Sequence, residues 1–367
     1  MRSFYSLIFG LSSEEGHLYH YHRSIERAVS LIGWKYRAIV PKKCSFSSLP
    51  ETWLPRLAFD PWDLSKNFRH RFKTLLRNFF PLRKLLYSLR KDASAIVFLE
   101  SFELQHLAAL FLALLFVKKP SFHFWILHRY CFGKGDVKTI ACRLFHFLLE
   151  WKLGNAHVKY LTDSELLANA QELLFSKKIT VLPIPHTYPC TEKRENNPYL
   201  YLWWPGSVRK DKGLITIQNL TKSLYGQPLM RLVLSEEAKG DIIENSQLVF
   251  LAKNLASTEY EKWMRSADVV LLPYAAQIYS HRTSGIFVEA VCAGAIPLAT
   301  KGTWMAYELE KHDLSALTFS WNEKDILTQI LQISKDSKVK LKLTRMRSLY
   351  LTYHTEKGFS EVLSILK

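Results

Sequence analysis

The sequence is short of acid. Its 367 residues carry 33 Asp and Glu against 50 Lys and Arg, a formal net charge of +17. Such an excess favours a polyanionic or phosphate-bearing partner and says nothing about fold. Cysteine is scarce as well. Cys44, Cys131, Cys142, Cys190 and Cys292 are scattered and odd in number, and no pair has CxxC spacing. That argues against a zinc site and a disulfide framework, and fits a reducing cytosol. GxxxxGK[ST], HExxH and GxSxG are absent, which sets aside a P-loop, a zinc protease and a serine-hydrolase elbow. No apolar run reaches membrane-spanning length. The longest, LAALFLALLFV (107–117), suits a buried helix. The opening MRSFYSLIFGLSSEEG alternates like a strand and has no clear cleavage site, so it does not read as a signal peptide. The expectation is a cytoplasmic chain, at most peripheral on the inner face of a membrane.

What remains is apolar enough to fold: 48% of residues are hydrophobic. The length exceeds that of a usual single core, so two domains are expected. Strand and helix alternate. Strands are expected over 3–12, 35–41, 94–100, 121–130, 157–164 and 179–185, with helices over 18–32, 103–118, 137–153 and 165–175. Asp163 or Ser164 would cap the last of these. The polar, proline-bounded stretch 186–198 reads as a linker. A second series follows, with strands over 199–206, 230–236, 246–253, 268–274 and, last, 295–300. The fold class expected is α/β: two doubly wound Rossmann-like domains, 1–190 and 191–345, facing a cleft. A C-terminal helix over 346–367 would cross back to the first.

Residues 64–91 hold nine Lys or Arg and no acid, with Leu and Phe at helical spacing and Pro81 dividing two short helices. They read equally well as a basic amphipathic surface for anionic lipid and as a helix pair with one core face.

Two segments carry chemistry. In RTSGIFVEAVCAGAIPLATKGTW (282–304), Thr283 and Ser284 can cap a helix beginning at Gly285. Its free amides, around Ser284, Gly285 and Ile286, form an anion site, and Arg282 adds a cation. Glu289, inside an apolar run, either pairs with a protein cation or accepts hydrogen bonds from a ribose diol. In WWPGSVRKDKG (203–213), Gly206 allows a tight turn, and Arg209 and Lys212 can neutralise a diphosphate.

Together these segments resemble the donor domain of GT-B glycosyltransferases, particularly the group 1, family-4-like set. The likeness covers about 200–305: glycine after a strand, Arg209…Lys212-Gly213, then LASTEYEKWMRSADVVLLPY, then SGIFVEAVCAGAIPLAT. The resemblance implies a nucleoside-diphosphate sugar as donor, UDP or GDP, with no separate cofactor. Arg209 and Lys212 would hold the diphosphate, Glu289 the ribose, and the amides around Ser284–Phe287 a phosphate. It tilts towards retention of configuration. The missing DxD argues against the metal-dependent GT-A type, and no metal site is expected. The family commonly carries a second glutamate, with seven residues between it and Glu289; His281 stands there and becomes a sugar contact. In the first half, Gly16 and His17 are candidate sugar or acceptor contacts, and Glu100 and His128 candidate bases. The acceptor expected is a saccharide or a lipid-linked one, with no nucleic acid. The rivals are a nucleotide-sugar epimerase and a non-catalytic binding relic.

Overall fold

The computed structural model describes residues 1–14, 17–46, 48–60, 67–130, 136–185, 198–323 and 325–366. The linker stretch 186–197, Gly16, Cys131 and Cys190 lie outside these residues. The chain forms two compact units, Met1–Pro185 with Glu356–Lys367, and His186–Thr355.

In unit 1 the chain runs β1 (Ser3–Leu7), α1 (His17–Leu31), β2 (Lys35–Pro41), β3 (Trp53–Leu57), α2 (Phe68–Leu89), β4 (Ala95–Glu100) and α3 (Leu104–Leu115). It continues through β5 (His123–His128), α4 (Val137–Leu153), β6 (Val158–Thr162), α5 (Glu165–Phe175) and β7 (Ile179–Val181). The seven strands are parallel, in the order β3-β2-β1-β4-β5-β6-β7. A parallel sheet must be covered on both faces. Every residue of β4 is accordingly buried. One face packs α2, α3, α4 and α5 against Val97, Leu99, Phe124 and Ile126; the other packs α1 against Phe4, Phe98 and Trp125.

Three features of unit 1 differ from the sequence reading. Several strands are shorter than expected: β1 ends at Leu7 and β7 at Val181, although Ile8, Phe9, Leu182 and Ile184 beyond them are buried. Pro81 lies inside one helix, α2, instead of dividing two. It forfeits a backbone bond at about 3 kcal/mol. However, Thr74, Asn78, Leu82, Leu85, Leu86 and Leu89 form one buried stripe on both sides of it. Burying each leucine stabilises by about 1.5–3 kcal/mol, so packing wins. β3 was not anticipated. Its Pro55 disguises a strand, and it is tolerated because β3 lies at the sheet edge.

Unit 2 runs β8 (Leu200–Trp203), α6 (Leu214–Ser223), β9 (Met230–Ser235), β10 (Leu248–Leu251), α7 (Ser257–Ser266), β11 (Val269–Leu272) and α8 (Ala276–Tyr279). Then come α9 (Gly285–Ala293), β12 (Ile296–Thr300), α10 (Trp304–Lys311), β13 (Thr318–Phe319), α11 (Ile326–Lys335) and α12 (Ser337–Tyr353). The six strands are parallel, in the order β10-β9-β8-β11-β12-β13. β13 adds a strand beyond 295–300; two residues are too few to show a period. The expected tail helix is two helices, α12 and α13 (Glu356–Ile365). The latter belongs to unit 1, where Phe359 and Leu363 join the α1 core and Glu356 pairs with Arg27 at 2.6 Å.

Gly213 is the tightest backbone position. Its φ is +92°, and a Cβ there would lie 2.3 Å from the Pro273 carbonyl oxygen. Gly33 has φ +70° and nothing within 4 Å. Gly33→Ala should therefore cost only backbone strain, about 1 kcal/mol, and Gly213→Ala at least twice that. Denaturant unfolding of the two variants measures the difference.

Candidate functional site

In unit 2 the chain proceeds from β8 outward to β10, then returns to β11 beside β8 and proceeds the other way. The carboxyl ends of β8 and β11 thus flank the point where strand order reverses, where open α/β sheets bind ligands. The two segments singled out from sequence are the loops leaving these strands.

Gly206, at φ +90°, begins the assembly. A Cβ there would stand 3.1 Å from both Ile286 Cδ1 and Lys212 Nζ. Lacking it, the loop after β8 closes against the first turn of α9. The Lys212 carbonyl accepts from Trp204 Nε1 at 3.0 Å, and its ammonium lies 5.7 Å from the Tyr274 ring centroid. Burial and then the neighbouring Arg209 guanidinium lower its pKa to about 8. The adjacent carboxylate, Asp211, turns to Arg209 instead, with Nη2 2.7 Å from Oδ2. Arg209 Nη2 also donates to Tyr279 Oη at 3.1 Å. The Asp211 carbonyl accepts from the Ala275 amide at 2.9 Å, tying the two loops together.

Ser284 caps α9, its hydroxyl accepting from the Phe287 amide at 3.3 Å. The amides of Gly285 and Ile286 occupy helix positions that have no intrahelical acceptor. Arg282 lies over the Tyr279 ring at 5.3 Å, and His281 Nδ1 is 3.1 Å from Ser280 Oγ. The buried Tyr274 hydroxyl has no well-formed hydrogen bond among the described residues, although Ser284 is near enough to temper the rise that burial imposes on it.

Glu289 follows one turn into α9. Tyr260 Oη donates to its Oε2 at 2.7 Å. Part of its surface stays open, yet burial pushes its carboxyl up to about 7 against the pull of that hydrogen bond. The arrangement brings Gly206, Arg209, Lys212, Arg282, Ser284, Gly285, Ile286 and Glu289 to the carboxyl-end side of the two central strands, β8 and β11. Asp211, Tyr260 and Tyr274 were missed from sequence. Tyr260 and Tyr274 sit in the quoted stretch LASTEYEKWMRSADVVLLPY, at a helix position and at a strand end, which was the available signal.

The candidates in unit 1 fare differently. Gly16 lies outside the described residues, and of His17 only the backbone, opening α1, is described. Glu100 was named as a base. It is buried, with Arg129 Nε at 2.6 Å, His22 Nε2 at 3.2 Å and Ser101 Oγ at 2.5 Å. Burial pushes its carboxyl up, but Arg129 and the hydrogen bonds from His22 and Ser101 outweigh that and hold it well below the carboxylate range. Arg129 also reaches Asp163 at 3.0 Å. Ser101, with φ +50°, is strained beside it. A carboxylate so paired is a tie across three strand ends. As a proton acceptor near neutral pH it is too weak. His128, the other base named, is 2% exposed and faces α4. Burial pushes its imidazole down to about 3. One ligand atom each of His128, Cys142 and His146 lie within 4.8 Å of one another, and Cys142 Sγ is 3.5 Å from His146 Nε2. Rings of Tyr160 and Phe175 enclose them.

No family model matches the sequence, and no curated protein matches it. Solved structures do match over the whole chain. Sucrose-phosphate synthase from Thermosynechococcus elongatus aligns with TM-score 0.70 and 13% identity, covering 100% of this chain and 98% of that one. A trehalose-6-phosphate structure from E. coli, bound with UDP-2-fluoro glucose, aligns with TM-score 0.68 and 13% identity over 99% and 98%. Anabaena HepE in complex with UDP gives TM-score 0.68 and 10% identity over 100% and 99%. The likeness is one of fold: two Rossmann-like domains of the GT-B type.

The Glu289 environment predicts a pH dependence. Its folded pKa, about 7, is above the unfolded value of about 4.3, so the folded state holds the extra proton. The stabilisation is complete below the unfolded value and is lost as pH rises through about 7. Glu289→Gln keeps the Tyr260 contact and removes the titration. Its melting temperature should match wild type near pH 4 and exceed it by about 2–6 °C at pH 8. Equal melting temperatures at pH 8 would show that the carboxylate is not strained there.

Proposed function

We propose that the chain is a glycosyltransferase that moves a sugar from a nucleoside-diphosphate sugar to a saccharide or lipid-linked acceptor. The observation that carries this is the meeting of the Lys212 ammonium, the Arg209 guanidinium and the first amides of α9 at the strand-order reversal of unit 2. Three sources of positive potential face one another there, and a diphosphate answers all of them. Glu289, one helical turn deeper, would accept hydrogen bonds from a ribose diol, favouring its ionised form. Structures of the same fold hold UDP and UDP-2-fluoro glucose, which supports this choice of donor class.

In the proposed reaction the bond between the anomeric carbon and the β-phosphate oxygen breaks, and its electron pair stays on that oxygen. Lys212 and Arg209 stabilise the developing charge, the role a divalent ion takes in other transferases. The acceptor hydroxyl then adds to the anomeric carbon and passes its proton to that departing phosphate oxygen. A retaining, metal-independent course is favoured because both bases named in unit 1 are unsuited to proton abstraction. Glu100 is ion-paired and His128 is buried and barely basic. His281 would contact the donor sugar. The basic helix α2 suits an acceptor carried on anionic lipid.

Two measurements test the reading. UDP or GDP should raise the melting temperature by mass action, and Lys212→Met or Glu289→Ala should abolish the rise. In turnover, Lys212 must stay charged, so kcat/KM should fall as pH rises through about 8. Lys212→Arg should move that limb upward, and Lys212→Met should lower kcat about 10²–10³-fold. A shift with no nucleotide, or one untouched by both substitutions, would reject the assignment.

A further inference from the structure

α2, α3 and α4 lie side by side over one face of the unit 1 sheet, their inner sides forming its core. Their outer sides are apolar as well. On α4, Val137, Ile140, Leu144, Phe147 and Trp151 follow one another at helical spacing, and all are exposed, Trp151 by 66% and Phe147 by 63%. This is a second hydrophobic stripe on a helix that has already buried its first through Cys142, Leu149 and Leu153. On α2, Phe72, Leu76 and Phe80 form another exposed row. Leu112, Leu115 and Phe116 at the end of α3 fill the space between. Phe116 meets the Phe79 ring at 5.6 Å and the Arg83 guanidinium at 4.9 Å, which joins α2 to α3 in a continuous surface. Water-exposed apolar surface of this extent calls for an occupant.

The charge of this surface selects the occupant. α2 contributes Arg69, Arg71, Lys73, Arg77, Arg83 and Lys84 and no acid. α3 holds no charged residue, and Lys118 and Lys119 follow it. α4 adds Lys138, Arg143 and Lys152. Its one acid, Glu150, is turned inward to Tyr160 Oη at 3.1 Å and Lys177 Nζ at 2.5 Å. A second copy of this chain would set these cations against their own images. A nucleic acid would meet the phosphate-binding charge but has no use for a row of Ile, Leu and Val. A bilayer with anionic headgroups answers both features: acyl chains take the apolar rows, and phosphates take the interleaved Lys and Arg. Trp, Phe and Leu on a helix face flanked by Lys and Arg are the residues that such an interface favours.

We propose that the outer face of α2, α3 and α4 binds anionic lipid bilayers. This deepens the transferase reading, on which its purpose rests, by placing a lipid-linked acceptor at the surface where unit 1 docks. The docking itself needs no nucleotide.

Flotation of the full chain with vesicles tests it. Wild type should float with phosphatidylcholine–phosphatidylglycerol vesicles and about a hundredfold more weakly with phosphatidylcholine alone. The pair Phe147→Ser and Trp151→Ser should weaken binding about tenfold or more, and so should Arg69, Lys73, Arg77 and Arg83 changed together to Gln. All these side chains are solvent-facing, so circular dichroism and melting temperature should stay as in wild type, and so should the melting shift with UDP or GDP. Absence of flotation, or flotation unchanged in both variants, overturns the proposal. So does a wild-type dimer that the Phe147→Ser, Trp151→Ser pair dissociates. Flotation as predicted with no nucleotide shift would leave this surface standing and remove the transferase reading.

Discussion

A lysine ammonium kept inside unit 2, with its neighbouring carboxylate turned elsewhere, is the constraint around which the candidate site is built. Desolvation makes the Lys212 charge unfavourable, and Arg209 and the positive end of α9 add to the strain. Such a cluster persists only if the backbone enforces it. Gly206 removes the side chain that would separate Lys212 from Ile286, and Gly213 takes a left-handed turn against Pro273. Trp204 and the Asp211–Ala275 bond fix the loop from either side. Burial raises the Glu289 carboxyl in the same neighbourhood, against the pull of its Tyr260 hydrogen bond.

Unit 1 shows the contrary arrangement at its own strand-order reversal. There, charge is answered internally. Glu100 at the end of β4 holds Arg129 after β5, which holds Asp163 after β6, while His22 reaches in from α1. Breaking a buried pair of this kind costs about 3–5 kcal/mol because a charge is left without compensation. The network therefore locks the strand ends together. On the opposite face of β5, His128, Cys142 and His146 form a separate buried group of neutral side chains. Neither group offers an accessible base, which is why the chemistry is assigned to leaving-group stabilisation in unit 2.

Much of this was legible in the sequence for identifiable reasons. Alternating apolar strands and capped helices gave the α/β class, because buried parallel strands leave continuous hydrophobic runs. Ser164 and Ser284 announced their helices, as hydroxyl caps do. The residues proposed for the donor side could be singled out because glycine, cation and carboxylate occur in short segments at strand ends. Other features depended on tertiary context. Pro81 reads locally as a break, and only the shared buried stripe of α2 overrides it. β3 hides behind its proline, and β13 is too short to have a period. Glu100 and His128 looked like bases because a sequence does not show what lies across three strands. The exposed stripe of α4 went unremarked for a similar reason: an apolar helix does not reveal how much of itself it buries.

The most direct test of the donor site is a crystal structure of the chain with UDP or GDP. The account predicts the β-phosphate within hydrogen-bond distance of Lys212 Nζ and of the Gly285 or Ile286 amide, with the ribose hydroxyls on Glu289. A nucleotide bound away from these groups, or a site still empty at saturating nucleotide, would contradict it.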